Sequence, residues 1–433
     1  MKRTRILIRL LSILLFISFS SNLLALQSDS LRPKIAVLPD VKTIKSLPAG
    51  TFSEKYEIYY NQPVDYKDTL AGRFTQRVYV MHLGFDKPTV FVAEGYGAGY
   101  ASNPRYREEL SRILDANVIF VEHRYFLEST PSNKNWKYLT AENEANDLHR
   151  IREAFGDIYK GKWVVTGISK GGQNALIYTA FFPADMDITV PYVAPVCKGV
   201  EDGRHEQFIA AFAGNKDERE RILNFQKELL IRRLELSPKF DSLCTACKYE
   251  FNLPNEQIYD YAVLEFSFAF WQWGSKTSAI PERGSTADKI FKYWVNISGP
   301  EYFVKDSPTT PFFVQAAKEL GYYGYDIKPF KGMLKIKSSK GYLKKLFLSQ
   351  GEKFSFDKTL YKKLTSFLKV TNNKIMFIYG EFDPWSSVKA GEQNRRNIVF
   401  FIEPNGSHRS RISTLPAQMK ADAQAILQKW IAQ

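Results

Sequence analysis

The sequence predicts a mostly parallel, doubly wound α/β sheet with an inserted, mainly helical cap domain. Three observations point there. Apolar runs of strand length recur along the chain with helical patterns between them. Most of these runs are nearly continuous in Val, Ile and Phe, as strands buried on both faces of a parallel sheet must be. The alternation lapses between residues 200 and 370 and then resumes.

The strand candidates are 74–83 (FTQRVYVMHL), 88–96 (PTVFVAEGY), 117–126 (NVIFVEHRYF), 162–169 (KWVVTGIS) and 187–196 (DITVPYVAPV). Late in the chain come 374–383 (KIMFIYGEFD) and 397–406 (NIVFFIEPNG). Helical patterns separate them. Segment 142–159 places Ala145, Leu148, Ile151, Phe155 and Ile158 on one face; 171–182 and 415–433 read likewise. Strand alternating with helix argues for a parallel sheet. The interrupting stretch holds a helical pattern at 216–236, an aromatic cluster YDYAVLEFSFAFWQWG at 259–274, and basic loops. It reads as a cap over the carboxyl ends of the strands, where open α/β sheets bind ligands. A separate helical domain with no part in the site is the alternative. The expected division is a signal peptide over 1–25, a first part of the core over 26–199, the cap over 200–370 and the second part of the core over 371–433.

The leader pattern is direct. Lys2, Arg3, Arg5 and Arg9 precede an apolar stretch from Leu10 to Phe19, and Ala25 offers a small-residue exit. The stretch is shorter than the roughly 20 residues that span a bilayer, so cleavage is expected to leave no stable membrane anchor and a secreted or periplasmic product. Lys and Arg number 60 against 46 Asp and Glu, a formal charge of +14. The surplus is spread, densest over 328–350, and no nucleic-acid motif accompanies it. It reads as a general basic bias with at most a weak pull on acidic surfaces. Cys244 and Cys247 form CTAC. With no second pair to complete a zinc site and no thioredoxin-like strand before it, a local disulfide or two free thiols remain. Cys197 follows an apolar run and reads as buried. No metal or cofactor is expected, and the oligomeric state stays open.

The chemistry concentrates in WVVTGISKGGQNALIY, where Gly167, Ser169 and Gly171 make G-x-S-x-G between a strand and a helix. This is the nucleophile elbow of an α/β-hydrolase core. The turn is too tight for side chains on its flanks, so Ser169 projects at the carboxyl end of its strand. The N–H of the next residue, Lys170, becomes a donor for an oxyanion. A serine needs a base and the base an orienting acid, in the chain order Ser, acid, His on this fold. Of the five histidines, His408 alone follows both the serine and the insertion. It lies in a glycine-bearing loop after the last strand. Asp383 ends the strand before, just ahead of Pro384; Glu381 competes two residues earlier. His82 sits near the end of an early strand that reads as a sheet edge. His149 falls on the polar side of its helix, and His205 in the first loop of the insertion. His123 reads as a structural histidine. A second oxyanion donor is expected from EGYGAGY at 94–100, from Gly95 or, by preference, Tyr96.

Together GISKGG, EHRYF, YGEFDPWS and GSHRSRI resemble the secreted serine peptidases of the tripeptidyl aminopeptidase family, relatives of the prolyl carboxypeptidase and dipeptidyl peptidase family. The resemblance covers roughly residues 55–430. The lysine after the serine fits the tripeptidyl group; the prolyl carboxypeptidase group usually has tyrosine there. The resemblance implies Ser169 as nucleophile, Asp383 as orienting acid and His408 as base. It further implies release of short peptides, tripeptides in particular, from free amino termini through an acyl-enzyme, often with proline at the scissile bond.

An exopeptidase must also hold the substrate α-ammonium at a fixed distance from the serine. Glu94, Glu122, Glu201 and Asp202, each near the end of a strand candidate, are the acids so placed, and Arg124 can brace one of them. The aromatics of Phe266–Trp273 can line a slot for proline or form the core of the cap. Two other classes compete with a peptidase. An esterase or lipase can use the same fold and triad, although the many charges in the insertion favour a peptide substrate over a lipid. A non-catalytic binding protein has no need of a complete, ordered triad.

Overall fold

The computed structural model describes residues 30–348, 354–391 and 395–433; the leader expected over 1–25 lies outside them. One nine-stranded sheet organises the chain: β1 (Val41–Ser46), β2 (Glu54–Pro63), β3 (Arg73–His82), β4 (Thr89–Ala93), β5 (Asn117–Val121), β6 (Trp163–Ile168), β7 (Ile188–Tyr192), β8 (Lys374–Gly380) and β9 (Ile398–Glu403). The spatial order is β1-β2-β3-β5-β4-β6-β7-β8-β9. β1, β2 and β3 form an antiparallel meander, and β3 runs antiparallel to β5; from β5 to β9 every pairing is parallel. After the edge strand β1, this is the strand order of an α/β-hydrolase.

The parallel strands read as unbroken apolar runs because successive residues serve opposite faces. In β5, Ile119 and Val121 join the core under the helices Ala141–Gly156 and Lys170–Phe181, while Val118 and Phe120 join the core against the closing helix Ala417–Ala432. Sequence reasoning passed over β1 and β2. β1 is the sheet's outer strand, exposed at Lys42, Thr43, Lys45 and Ser46. β2 carries charge inside its core pattern, where Lys55 is buried with its Nζ donating to the carbonyls of Ser102 and Asn103. Neither strand shows the apolar continuity that marked the others.

β3 corrects the reading of His82. The strand lies between β2 and β5, two places in from the edge, and the His82 ring is buried with Nδ1 3.0 Å from the Tyr159 hydroxyl. Between β7 and β8 the chain is mainly helical and has its own apolar core, built on Phe240, Tyr259, Phe266 and Trp294. The helical pattern 216–236 divides at Arg232 into helices Lys216–Ile231 and Arg233–Ala246. Cys197, Cys244 and Cys247 are all unpaired thiols, so CTAC is not a disulfide. Among the described residues no helix is long and apolar enough to cross a membrane.

Candidate active site

The elbow is built by close backbone approach. Ser169 stands between β6 and the helix Lys170–Phe181 at φ 58°, ψ −120°, a region L-residues rarely occupy and one that marks functional strain. Its N–H donates to the Tyr192 carbonyl at the end of β7 (2.9 Å), and its carbonyl accepts the first helical bond from Gln173 (2.8 Å). A Cβ on Gly167 would lie 2.3 Å from the Gly171 backbone and 2.8 Å from the Ala93 carbonyl; one on Gly171 would lie 2.8 Å from that same carbonyl. Backbone cannot move aside as a flexible side chain can. Gly167→Ala is therefore expected to cost about 1–3 kcal/mol of stability, read as a lower urea midpoint. Gly199→Ala, whose Cβ meets nothing within 4 Å, is the control, and equal midpoints for the two would refute the steric account.

Asp383 and His408 come together as the sequence predicts. Asp383 follows β8 and is fully buried; His408 follows β9 and is 5% exposed. His408 Nδ1 lies 2.7 Å from Asp383 Oδ2, while Asp383 Oδ1 accepts the Trp385 N–H at 3.1 Å. The two loops are tied by the Phe382 N–H donating to the Gly406 carbonyl (2.8 Å). With Nδ1 donating to the carboxylate, Nε2 carries the lone pair, and Nε2 is buried without a hydrogen-bond partner. The competing acid, Glu381, is exposed and accepts the Asn405 N–H. The helix Asn255–Gln272 reaches this site as well: its last carbonyl, Gln272, accepts the His408 N–H at 2.9 Å.

The loop after β4 lies against the elbow. A Cβ on Gly95 would meet the Gly171 nitrogen at 2.6 Å and the Lys170 Cβ at 2.8 Å, so glycine is required for contact rather than for a turn. The Lys170 N–H opens the elbow helix, where the first N–H groups have no helical acceptor. The Tyr96 N–H, the preferred second donor, is instead engaged by Glu94 Oε1 at 3.2 Å. The Lys170 side chain went unread in the sequence. It is buried, with Nζ over the rings of Tyr96 (5.9 Å) and Phe126 (5.7 Å) and without a hydrogen-bond partner. Burial pulls its pKa down to about 7, against the opposing pull of Glu144 and Glu94.

A cavity of about 460 Å³ opens on Ser169. Its walls come from the elbow (Ser169, Lys170, Gln173), from the loops (Tyr96, Pro195, Trp385), and from the helical insertion. The insertion supplies Glu265, Ala269, Gln272 and Trp273 from successive turns of one helix face, with Tyr302, Phe312, Tyr322 and Tyr323 opposite. Of the aromatics in 266–273, Trp273 lines the cavity, whereas Phe266, Phe268, Phe270 and Trp271 pack into the insertion's core.

The acids read from the sequence do not line this cavity. Glu122 is fully buried and pairs with Arg77, accepting also from the Ala98 N–H and the Ser129 hydroxyl. Arg124 is locked to Asp147 by two bonds (2.7 and 2.8 Å), bracing the sheet rather than the site. Asp202 is held by Arg204 (2.6 Å), Glu201 by the Gly341 N–H, and Glu94 by Tyr96 N and the Tyr100 hydroxyl (2.7 Å). His123 is buried, its Nδ1 2.6 Å from the Arg124 carbonyl. His149 bonds Asp185 at 2.7 Å and stacks on Phe182. His205 sits in the first turn of the helix Arg204–Ala211 instead of a loop, and burial drives its pKa down to about 3. The cavity acids that sequence reasoning missed are Glu265 and Glu301. A charge that shares the otherwise apolar helix sequence YDYAVLEFSFAFWQWG only with Asp260 was the signal for the first.

Comparison with known proteins places the chain among peptidases. The family model for PS-10 peptidase S37 matches residues 28–433. A prolyl tri/tetrapeptidyl aminopeptidase from Streptomyces mobaraensis is 29% identical over 426 residues, covering 95% of this chain and 87% of its own. Among solved structures, a proline iminopeptidase from Mycobacterium smegmatis matches 90% of this chain and 99% of its own, at a TM-score of 0.40 and 11% identity. A proline iminopeptidase-related protein from Thermus thermophilus matches 90% and 97%, at 0.37 and 14%.

Proposed function

The chain belongs to the PS-10 peptidase S37 family, and from that footing we propose that it is a serine aminopeptidase releasing short peptides, tripeptides in particular, from free N-termini, with proline on the acyl side of the cut. Ser169 Oγ attacks the scissile carbonyl carbon as its proton passes to His408 Nε2. Asp383 holds the imidazole in the tautomer that can accept and balances the imidazolium that forms. The tetrahedral oxyanion is met by the Lys170 N–H and by a donor from the Gly95–Tyr96 loop; for Tyr96 this means exchanging its bond to Glu94 for one to the substrate. The C–N bond then breaks, and the proton on His408 goes to the leaving amine. Water hydrolyses the ester on Ser169 by the same relay, and the serine regains its proton.

The observation that carries this reading is the buried His408–Asp383 pair, with Nε2 unpartnered and the imidazole against Trp273 and Trp385, which line the same cavity as Ser169, strained at φ 58°. The release of short N-terminal peptides is supported by the Streptomyces relative's activity. Residues 1–25, read as a leader, would place the enzyme in the periplasm or outside the cell, and residues 200–370 would be the cap that sets selectivity.

Mass spectrometry of products from a mixed peptide library tests the proposal. Tripeptides ending in proline should accumulate, with every cut counted from the amino terminus. Cuts scattered through peptide interiors would refute the exopeptidase reading, and hydrolysis confined to esters would leave the fold with a different trade.

A further inference from the structure

The cavity beside Ser169 is closed on its insertion side by a carboxylate with unused capacity. Glu265 is buried at 5% exposure in the helix Asn255–Gln272. It accepts two hydroxyl donors, Tyr323 at 2.9 Å and Tyr325 at 2.6 Å, and both reach Oε2. Oε1 has no partner among the described residues. Nor does any Lys, Arg or His among them lie within ion-pair distance of this carboxylate, although the other buried acids named above are held by an arginine or by backbone N–H groups. The tyrosines are themselves fixed. Tyr302 lies 2.5 Å from the Tyr322 hydroxyl and 3.0 Å from that of Tyr323, and the Tyr323 ring stacks on Phe268 at 3.7 Å.

A buried carboxylate is costly unless something positive comes to it. Here the donors are neutral, rigid and on one oxygen, and the other oxygen belongs to a residue that lines the cavity. Burial accordingly holds its pKa up at about 7, a level that a bound cation would lower. The cavity's one buried lysine, Lys170, sits at the nucleophile and not at this end. Glu301, the other acid of the wall, is an exposed residue; partial burial of its carboxyl raises its pKa as well, but no tyrosine hydroxyls fix it as they fix Glu265.

We propose that Glu265 is the anchor for the substrate's α-ammonium: Oε1 takes the N-terminal –NH₃⁺, Tyr323 and Tyr325 hold Oε2, and the span from this carboxylate to Ser169 Oγ sets how many residues are released. The proposal rests on the aminopeptidase reading and supplies the specificity element that reading needs. It places the cation site on the insertion rather than on the strand-end loops, whose acids are already satisfied.

The test compares one chromogenic tripeptide anilide ending in proline with its N-acetylated form, in wild type, Glu265→Gln and Glu301→Gln. Glu265→Gln keeps shape and hydrogen bonding but removes charge. It should lose about 10–100-fold in kcat/KM on the free-amine peptide, the range of one charge-assisted hydrogen bond. Its rate on the acetylated peptide and its labelling by a fluorophosphonate should stay within about threefold of wild type, the labelling showing that the elbow is folded. Glu301→Gln should keep the wild-type preference for the free amine. If Glu265→Gln is labelled normally and still prefers the free amine as strongly as wild type, the anchor is overturned and the peptidase stands. If wild type cleaves neither peptide, the aminopeptidase reading falls and the anchor with it.

Discussion

Ser169→Ala should lower kcat for peptide hydrolysis by about 10⁶-fold, the loss seen when a serine nucleophile is removed from an otherwise intact site. The substitution deletes one oxygen from a half-buried side chain that lines the cavity. It leaves the backbone bonds that form the elbow, Ser169 N–H to Tyr192 and Gln173 N–H to Ser169, untouched. Alanine pays the same cost for φ 58° as serine does, so the unfolding free energy from urea titration should stay within about 0.5 kcal/mol of wild type. A fluorophosphonate should label the wild type and not the variant. Progress curves showing hydrolysis within tenfold of wild type would remove Ser169 from the chemistry and leave the elbow a structural turn.

Asp383→Asn should cost about 10⁴-fold in kcat with little change in KM. The reason is in the two oxygens. Oδ1 accepts the Trp385 N–H at 3.1 Å and Oδ2 faces His408 Nδ1 at 2.7 Å. An asparagine must keep its oxygen toward the Trp385 N–H, because a donor there would meet a donor. Its –NH₂ then faces the imidazole, and Nδ1 has to become the acceptor. The proton moves to Nε2, which can no longer take one from Ser169. The fold survives, since the pair is replaced by an isostere that still makes both bonds. A loss below about tenfold would show that the imidazole is oriented elsewhere; Glu381, exposed and bonded to the Asn405 backbone, is then the residue to substitute next.

The parts legible in the sequence are those whose physics is local. β4 to β9 were readable because strands covered on both faces need an unbroken apolar run, and Gly167, Ser169 and Gly171 because backbone contact leaves room for nothing larger. Asp383 and His408 were readable because order along the chain and position at strand ends leave few choices. β1 and β2 were not, since exposure on one and buried charge on the other hide the period of a strand. The acids went wrong for a different reason. Glu122 directly follows β5 as expected, whereas Asp202 lies ten residues past the end of β7; for both, whether the carboxylate is free depends on an arginine that folding brings to it: Arg77 from β3 for the first and Arg204 from the next helix for the second. Glu265 was invisible to a search of strand ends because it stands in mid-helix, and its availability rests on where two tyrosine hydroxyls point.

The helix Asn255–Gln272 touches both the cavity beside Ser169 and the backbone of His408. Glu265 faces the cavity from its middle, and its final carbonyl accepts the backbone N–H of His408. The two lie seven positions apart on the helix, about 10 Å of stiff rod. A rod transmits tilt: whatever lifts it to admit a bulkier chain also drags the imidazole off its line to the alcohol. Under the proposed function, breadth of diet and speed of turnover are therefore geared together, and a variant selected for one is expected to have moved the other.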